Sequence, residues 1–208
     1  MSKIEEVKIN VQKGKTKVIA GLVQEALDAG EAAADILQAM VEAMEIVGDQ
    51  FSRGEIFVPE MLVAGKAMQK GMEVLKPVLA GENPVFQGKC IIGTVAGDLH
   101  DIGKNLVALM IEGAGFEVID LGVDVPVEKF IEAIKENPDV KVVALSALLS
   151  TTMPAMKETV KAIKESGLTG FKVIVGGAPI TSEFAAAIGA DAYARDAGSA
   201  VVKIKEII

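Results

Sequence analysis

Apolar positions recur at helical spacing over residues 15–79: Val18, Leu22 and Ala26, then Ile36, Met40, Met44 and Val47, then Met61, Met68, Met72 and Leu75. Side chains three and four residues apart share a helix face, so this stretch is expected to fold as a small helical bundle. Residues 48–55 interrupt the pattern with Gly48, Gly54 and charged side chains, which predicts a loop between the last two helices, with Pro59 in the first turn of the second. Pro77 and the run 80–84 (Ala-Gly-Glu-Asn-Pro) then read as a linker.

Beyond the linker the period changes. Short β-branched runs at 90–95, 117–121, 140–146, 172–175 and 192–194 alternate with helical stretches at 103–113, 127–136, 153–166, 182–188 and 199–206. Repeated βα units of this length predict an α/β domain, a parallel sheet with helices on both faces. The expected division is a helical domain over 1–85 and a sheet domain over 89–208. Ligands of such sheets bind at the carboxyl ends of the strands, near the point where strand order reverses. The chemistry is therefore expected in the loops after strands one, three and four.

Composition narrows the function classes. Of 208 residues, 50% are hydrophobic, enough for a sizeable core. With 29 acidic against 21 basic side chains the net charge is -8, and no stretch gathers the Lys and Arg needed to neutralise phosphates, so no nucleic-acid partner is expected. No apolar run approaches the roughly 20 residues that cross a bilayer, and the opening Met-Ser-Lys-Ile-Glu-Glu has no signal-peptide pattern; a cytoplasmic protein without a membrane partner is the expectation. The single cysteine, Cys90, lies in an apolar strand and is read as an inert buried thiol.

The loop after the first strand reads Gly97-Asp98-Leu99-His100-Asp101-Ile102-Gly103-Lys104-Asn105, and His100 is the only histidine in the chain. A site of several histidines is thereby excluded. One neutral imidazole still suffices as an axial ligand to a metal whose remaining positions belong to a macrocycle. Asp98 is spaced to accept the proton of the other ring nitrogen, which orients the ring and raises its basicity; capping of the next helix explains the same pair. After strand three come Ser146, Ser150, Thr151 and Thr152, of which helix capping accounts for one or two. After strand four, Gly176 and Gly177 allow either a close approach to a ligand or a tight turn.

Together Asp98, His100 and Gly103, then Ser146 and Leu148, then Gly176 and Gly177 match the pattern Asp-x-His-x-x-Gly, Ser-x-Leu, Gly-Gly. The chain resembles the cobalamin-binding (corrinoid) proteins of methyltransferase systems, similar to that region of methionine synthase and to methanol, methylamine and aryl-ether corrinoid proteins. The resemblance covers the chain from about residue 15 onward. It implies a four-helix cap followed by a Rossmann-like, flavodoxin-like five-stranded parallel sheet, with cobalamin as the cofactor. It further implies that the cofactor's dimethylbenzimidazole leaves the cobalt, that His100 takes the lower axial position, and that Asp98 and Thr152 continue a hydrogen-bond relay. Gly97, Leu99, Asp101, Ile102 and Gly103 would line the site, and Val125-Pro126 would touch the corrin edge. Ser146, Leu148 and Ser150 would meet the buried nucleotide tail, with Gly176, Gly177, Tyr193 and Ala197 around the rest of it. Met61, with Phe57, Met68 and Met72, would face the upper side of the corrin, although each equally suits the bundle core. Asp49 is read either as a contact to the corrin or as a solvated loop carboxylate.

The function this implies is that of a methyl-carrying subunit, not catalytic alone. It would shuttle a methyl group between a substrate-specific methyltransferase and an acceptor methyltransferase, with a reductive activator as a further partner. The alternatives are the small subunit of an adenosylcobalamin mutase, which typically lacks the bundle, and a cobalamin-dependent sensor. A sensor that controls transcription needs a basic helix-turn-helix, for which residues 1–14 are too short.

Overall fold

A computed structural model describes residues 2–79 and 87–208. The chain divides into two compact units, one of residues Met1–Gln87 with Glu112–Gly115 and the other of residues Gly88–Ile111 with Phe116–Ile208.

The first unit contains α1 (Lys3–Gln12), α2 (Ile19–Asp28), α3 (Ala33–Ser52) and α4 (Val58–Leu79). Helix α1 was not foreseen by the apolar periodicity, because its stripe is short: only Val7 and Val11 are buried. Local signals make up the difference. The Ser2 hydroxyl accepts the Glu5 N–H, Glu5 and Glu6 lie in the first turn, and Gly14 with φ +61° ends the helix as a left-handed cap. Helix α3 runs through Ser52, past the expected break at Gly48, so Asp49 is helical; it is exposed and paired with Arg53 at 2.9 Å. Pro77 belongs to the last turn of α4 and not to a linker; there its missing N–H forfeits a single helix bond. The expected linker residues 80–84 lie outside the described residues. Gly71 on α4 leaves room for the end of Met40 on α3, which a Cβ would meet at 2.4 Å.

The second unit alternates β1 (Gly88–Thr94), α5 (Ile102–Gly113), β2 (Phe116–Asp120), α6 (Val127–Glu136), β3 (Val140–Ser146), α7 (Met153–Glu165), β4 (Lys172–Gly176), α8 (Ser182–Ala187), β5 (Ala192–Ala194) and α9 (Ala197–Ile207). All strand pairs are parallel and the order is β2-β1-β3-β4-β5. Ile91, Val143, Leu145, Val173 and Val175 pack with α6, α7 and α8 through Phe130, Ile134, Met156, Val160 and Ala185. The alternate positions Cys90, Ile92, Val142, Ala144 and Ile174 are also buried, so the strands are apolar on both faces, as a doubly covered parallel sheet requires. Burial pushes the Cys90 thiol up to about 12, so it stays protonated. Val95, expected as the end of the first strand, instead makes an isolated bridge to Val125.

The chain leaves β1 towards one edge of the sheet and β3 towards the other. Their carboxyl-end loops therefore diverge, opening the crevice that such a reversal creates.

Candidate corrinoid site

The loop after β1 turns at Gly97, with φ +81°. Asp98, directly after it, is fully buried, although a buried carboxylate is costly unless saturated with donors. Its Oδ1 accepts the His100 backbone N–H at 3.1 Å and faces His100 Nδ1 at 2.7 Å. Its Oδ2 accepts the N–H of Leu148 at 2.7 Å, the N–H of Leu149 at 3.3 Å and the Thr152 hydroxyl at 2.7 Å. Burial alone would push this carboxyl up. The donors from Leu148, Thr152 and His100 outweigh it and hold Asp98 far below the usual carboxylate range. Thr152 has one proton and two acceptors in reach, Asp98 and the Leu149 carbonyl at 2.9 Å; the ionised carboxylate is the stronger.

An ionised carboxylate can only accept, so the 2.7 Å contact puts the His100 proton on Nδ1 and leaves Nε2 basic. The imidazole is half exposed. The same two loops carry exposed apolar side chains, Leu99 (71%), Ile102 (77%), Leu148 (43%) and Leu149 (41%). A Cβ built on Gly103 would meet nothing within 4 Å. Among the described residues no group of three or more His, Cys, Asp or Glu could hold a metal. One available imidazole nitrogen amid uncovered apolar surface fits a metal that arrives inside its own macrocycle.

The remaining expected residues are placed as follows. Asp101 precedes α5 and accepts the Asn105 side-chain amide at 3.2 Å. Ser146 ends β3, where it pairs with Thr94 and Gly176, and Ser150 is exposed at the start of a short 3-10 turn, Ser150–Thr152. Gly177, at φ +128°, has a reason within the protein: a Cβ there would stand 1.8 Å from the Ala147 carbonyl. Gly176 likewise would meet the Ala194 carbonyl at 2.9 Å. Tyr193 is partly buried against the core under α6 to α8, and Ala197 opens α9 with little exposed surface. Met61 and Met68, on α4 in the other unit, have at most 1% of their surface exposed, as residues of the bundle core do, whereas Phe57 is exposed.

The sequence reading passed over Thr94, Asp120 and Asp124 and gave Lys104 no role. The Thr94 hydroxyl, fully buried, donates to the His100 carbonyl at 2.9 Å. Asp124 accepts the Gly97 N–H at 2.7 Å and donates its own N–H to the Asp98 carbonyl at 2.9 Å. Lys104, nearly buried on α5, is paired with Asp120 at the end of β2 and with Asn105 at 2.6 Å. The available signals were a threonine ending an apolar strand and an aspartate between Gly122 and Pro126, both of which read as ordinary turn chemistry.

The B12 binding domain family matches residues 88–204, and a second B12 binding domain family matches residues 3–76. The chain belongs to the corrinoid proteins of methyltransferase systems. This corrinoid protein is 46% identical over 189 residues to trimethylamine corrinoid protein 2 of Methanosarcina acetivorans, covering 88% of this chain and 86% of that protein. It is 44% identical over 176 residues to dimethylamine corrinoid protein 1 of the same organism, covering 83% and 82%. Its fold is similar to a chain of the methanol:cobalamin methyltransferase complex MtaBC from Methanosarcina barkeri, with TM-score 0.84, 28% identity, and coverage of 96% of this chain and 77% of that one. The corrinoid protein thus has a cobalamin-binding Rossmann-like fold, and no helix among its described residues is long and apolar enough to cross a membrane.

Proposed function

We propose that this corrinoid protein is a methyl carrier that holds its cofactor with His100 as the lower axial ligand, in place of the cofactor's benzimidazole. It works between a substrate-specific methyltransferase and an acceptor methyltransferase, with a reductive activator as third partner. When bound, the corrinoid supplies the cobalt centre that takes up and releases the methyl group. The chain's own residues bind, orient and hold a proton.

The observation that carries this reading is the contact of His100 Nδ1 with a buried Asp98 that is itself held by Leu148, Leu149 and Thr152. Such a carboxylate fixes both the tautomer and the direction of an imidazole ligand. Leu99, Ile102, Leu148 and Leu149 offer apolar surface for a corrin, and Gly103 the open space beside it. Ser146, Ser150, Tyr193 and Ala197, with the Gly176–Gly177 turn, are assigned to the nucleotide tail. The match of residues 3–76 to a B12 binding domain favours a methyl carrier over a mutase small subunit lacking such a segment.

The methyl donor is a methylated amine. Support comes from the relatives at 46% and 44% identity, named for trimethylamine and dimethylamine. The test loads the reduced protein with corrinoid and follows uptake of radiolabelled methyl from trimethylamine, dimethylamine, monomethylamine or methanol in the presence of the matching methyltransferase. Labelling from an amine and not from methanol is expected. Labelling from methanol alone would overturn the donor class, and labelling from none would overturn the carrier role.

A further inference from the structure

We propose that Thr94 and Asp124 are positioning residues for His100, holding the backbone of residues 97–100 so that the imidazole stays on Asp98; this rests on reading His100 as the cobalt ligand. The Asp98 carboxylate is anchored to the loop after β3, which determines where the acceptor is but not where the ring is. Ring position depends on the backbone at residues 99 and 100. Hydrophobic burial does not fix that backbone, because Gly97, Leu99, His100, Asp101 and Ile102 are all exposed.

Hydrogen bonds must then do so: the His100 N–H goes to the Asp98 carboxylate at 3.1 Å and the Asp98 N–H to the Val95 carbonyl at 3.2 Å, and the bonds from the rest of the loop lead to two further residues. The Gly97 N–H goes to the Asp124 carboxylate at 2.7 Å, and the Asp98 carbonyl receives the Asp124 N–H at 2.9 Å. The His100 carbonyl receives the Thr94 hydroxyl at 2.9 Å. Thr94 is itself fastened to the same loop as Asp124, its N–H to the Gly122 carbonyl and its carbonyl to the Val125 N–H, each at 3.0 Å. Among the described residues Asp124 is the one non-glycine with positive φ, at 51°. That conformation is unfavourable for a side-chain-bearing residue, and Asp is among those that tolerate it best. A glycine would make the turn without strain but would lose the charge-assisted bond to Gly97.

The test uses the cofactor-free full chain labelled with nitrogen-15 at histidine, where His100 supplies the only imidazole signals. In mildly alkaline buffer the wild type is expected to show the proton on Nδ1 and a bare Nε2. Thr94→Val removes the hydroxyl at nearly constant volume. Asp124→Gly keeps the positive φ and removes the carboxylate. Both are expected to shift the ring signals towards the Nε2–H form that an unrestrained histidine favours, Thr94→Val more strongly. Thr94→Ser and Asp124→Asn, which keep a donor and an acceptor respectively, are expected to restore the wild-type shifts. Should Thr94→Val fail to fold, Asp124→Gly at an exposed position decides. Wild-type ring shifts in the folded variants would overturn the positioning role alone. A wild type lacking the Nδ1 proton would overturn the Asp98–His100 pairing, and with it both this inference and the proposed ligation.

Discussion

The helical unit and the sheet unit bury different chemistry. The helices bury Val, Ile, Leu, Ala and Met, and their ion pairs, such as Lys3–Glu25 and Arg53–Asp49, are exposed. The buried polar or charged residues among those described, Thr94, Asp98, Lys104, Thr152 and Thr159, all belong to the sheet unit, and the first four stand at the carboxyl ends of β1 and β3 or just beyond. Apolar burial is non-directional and tolerates substitution, whereas a buried polar network is sensitive to the loss of any one partner. The helical unit is therefore expected to respond to changes of volume, and the sheet unit to changes of hydrogen bonding and backbone approach.

The largest expected break is at Gly177. Gly177→Ala forces a Cβ onto the Ala147 carbonyl at φ +128°, and a loss of about 4 kcal/mol or more is expected in denaturant unfolding, or failure to fold. In the helical unit, Met40→Ala should cost about 2–5 kcal/mol, while Met40→Leu should cost under about 1.5 kcal/mol; a large loss for Leu would show that this core is as specific as the site.

Asp98→Asn preserves shape but sets an amide against donors from Leu148 and Thr152, for an expected loss of about 2–3 kcal/mol. The pH dependence has a definite sign. Asp98 binds its proton less readily when folded than when unfolded, so its stabilisation is present above about pH 4 and is lost as pH falls towards the folded value. Acid unfolding should accordingly be shallower in Asp98→Asn; an unchanged acid limb would mean that the carboxylate is not held as described. The smallest effect is expected at Arg53→Ala, about 0.5 kcal/mol or less, because its partners Asp49 and Glu55 are exposed.

The same contrast explains what the sequence disclosed. Strand and helix positions in the sheet unit were legible because unbroken apolar runs such as 142–145 alternate with amphipathic stretches such as Phe130, Ala133 and Ile134. Asp98 and His100 were legible through a spaced motif and Thr152 through the family resemblance, and the three lie within hydrogen-bond distance in a chain through Asp98. Helix α1 was not, because capping by Ser2 and Gly14 contributes more to its definition than its two buried valines. Nor were Thr94 and Asp124, whose partners are main-chain atoms that leave no pattern in residue types. Gly177 was singled out for a ligand's approach or a tight turn, and its proximity to Ala147 could be seen only once β3 and β4 were paired.

The central claim, that His100 is the protein ligand to the corrinoid cobalt, is tested most directly by electron paramagnetic resonance of the cobalt(II) complex. Two samples are compared, one with natural nitrogen and one labelled with nitrogen-15 at its only histidine. The cofactor nitrogens are the same in both. Axial nitrogen splitting is expected to change from triplet to doublet on labelling the protein, and to disappear as a histidine signal in His100→Ala. A splitting that ignores the protein label, and changes instead when the benzimidazole nitrogens are labelled, would contradict it.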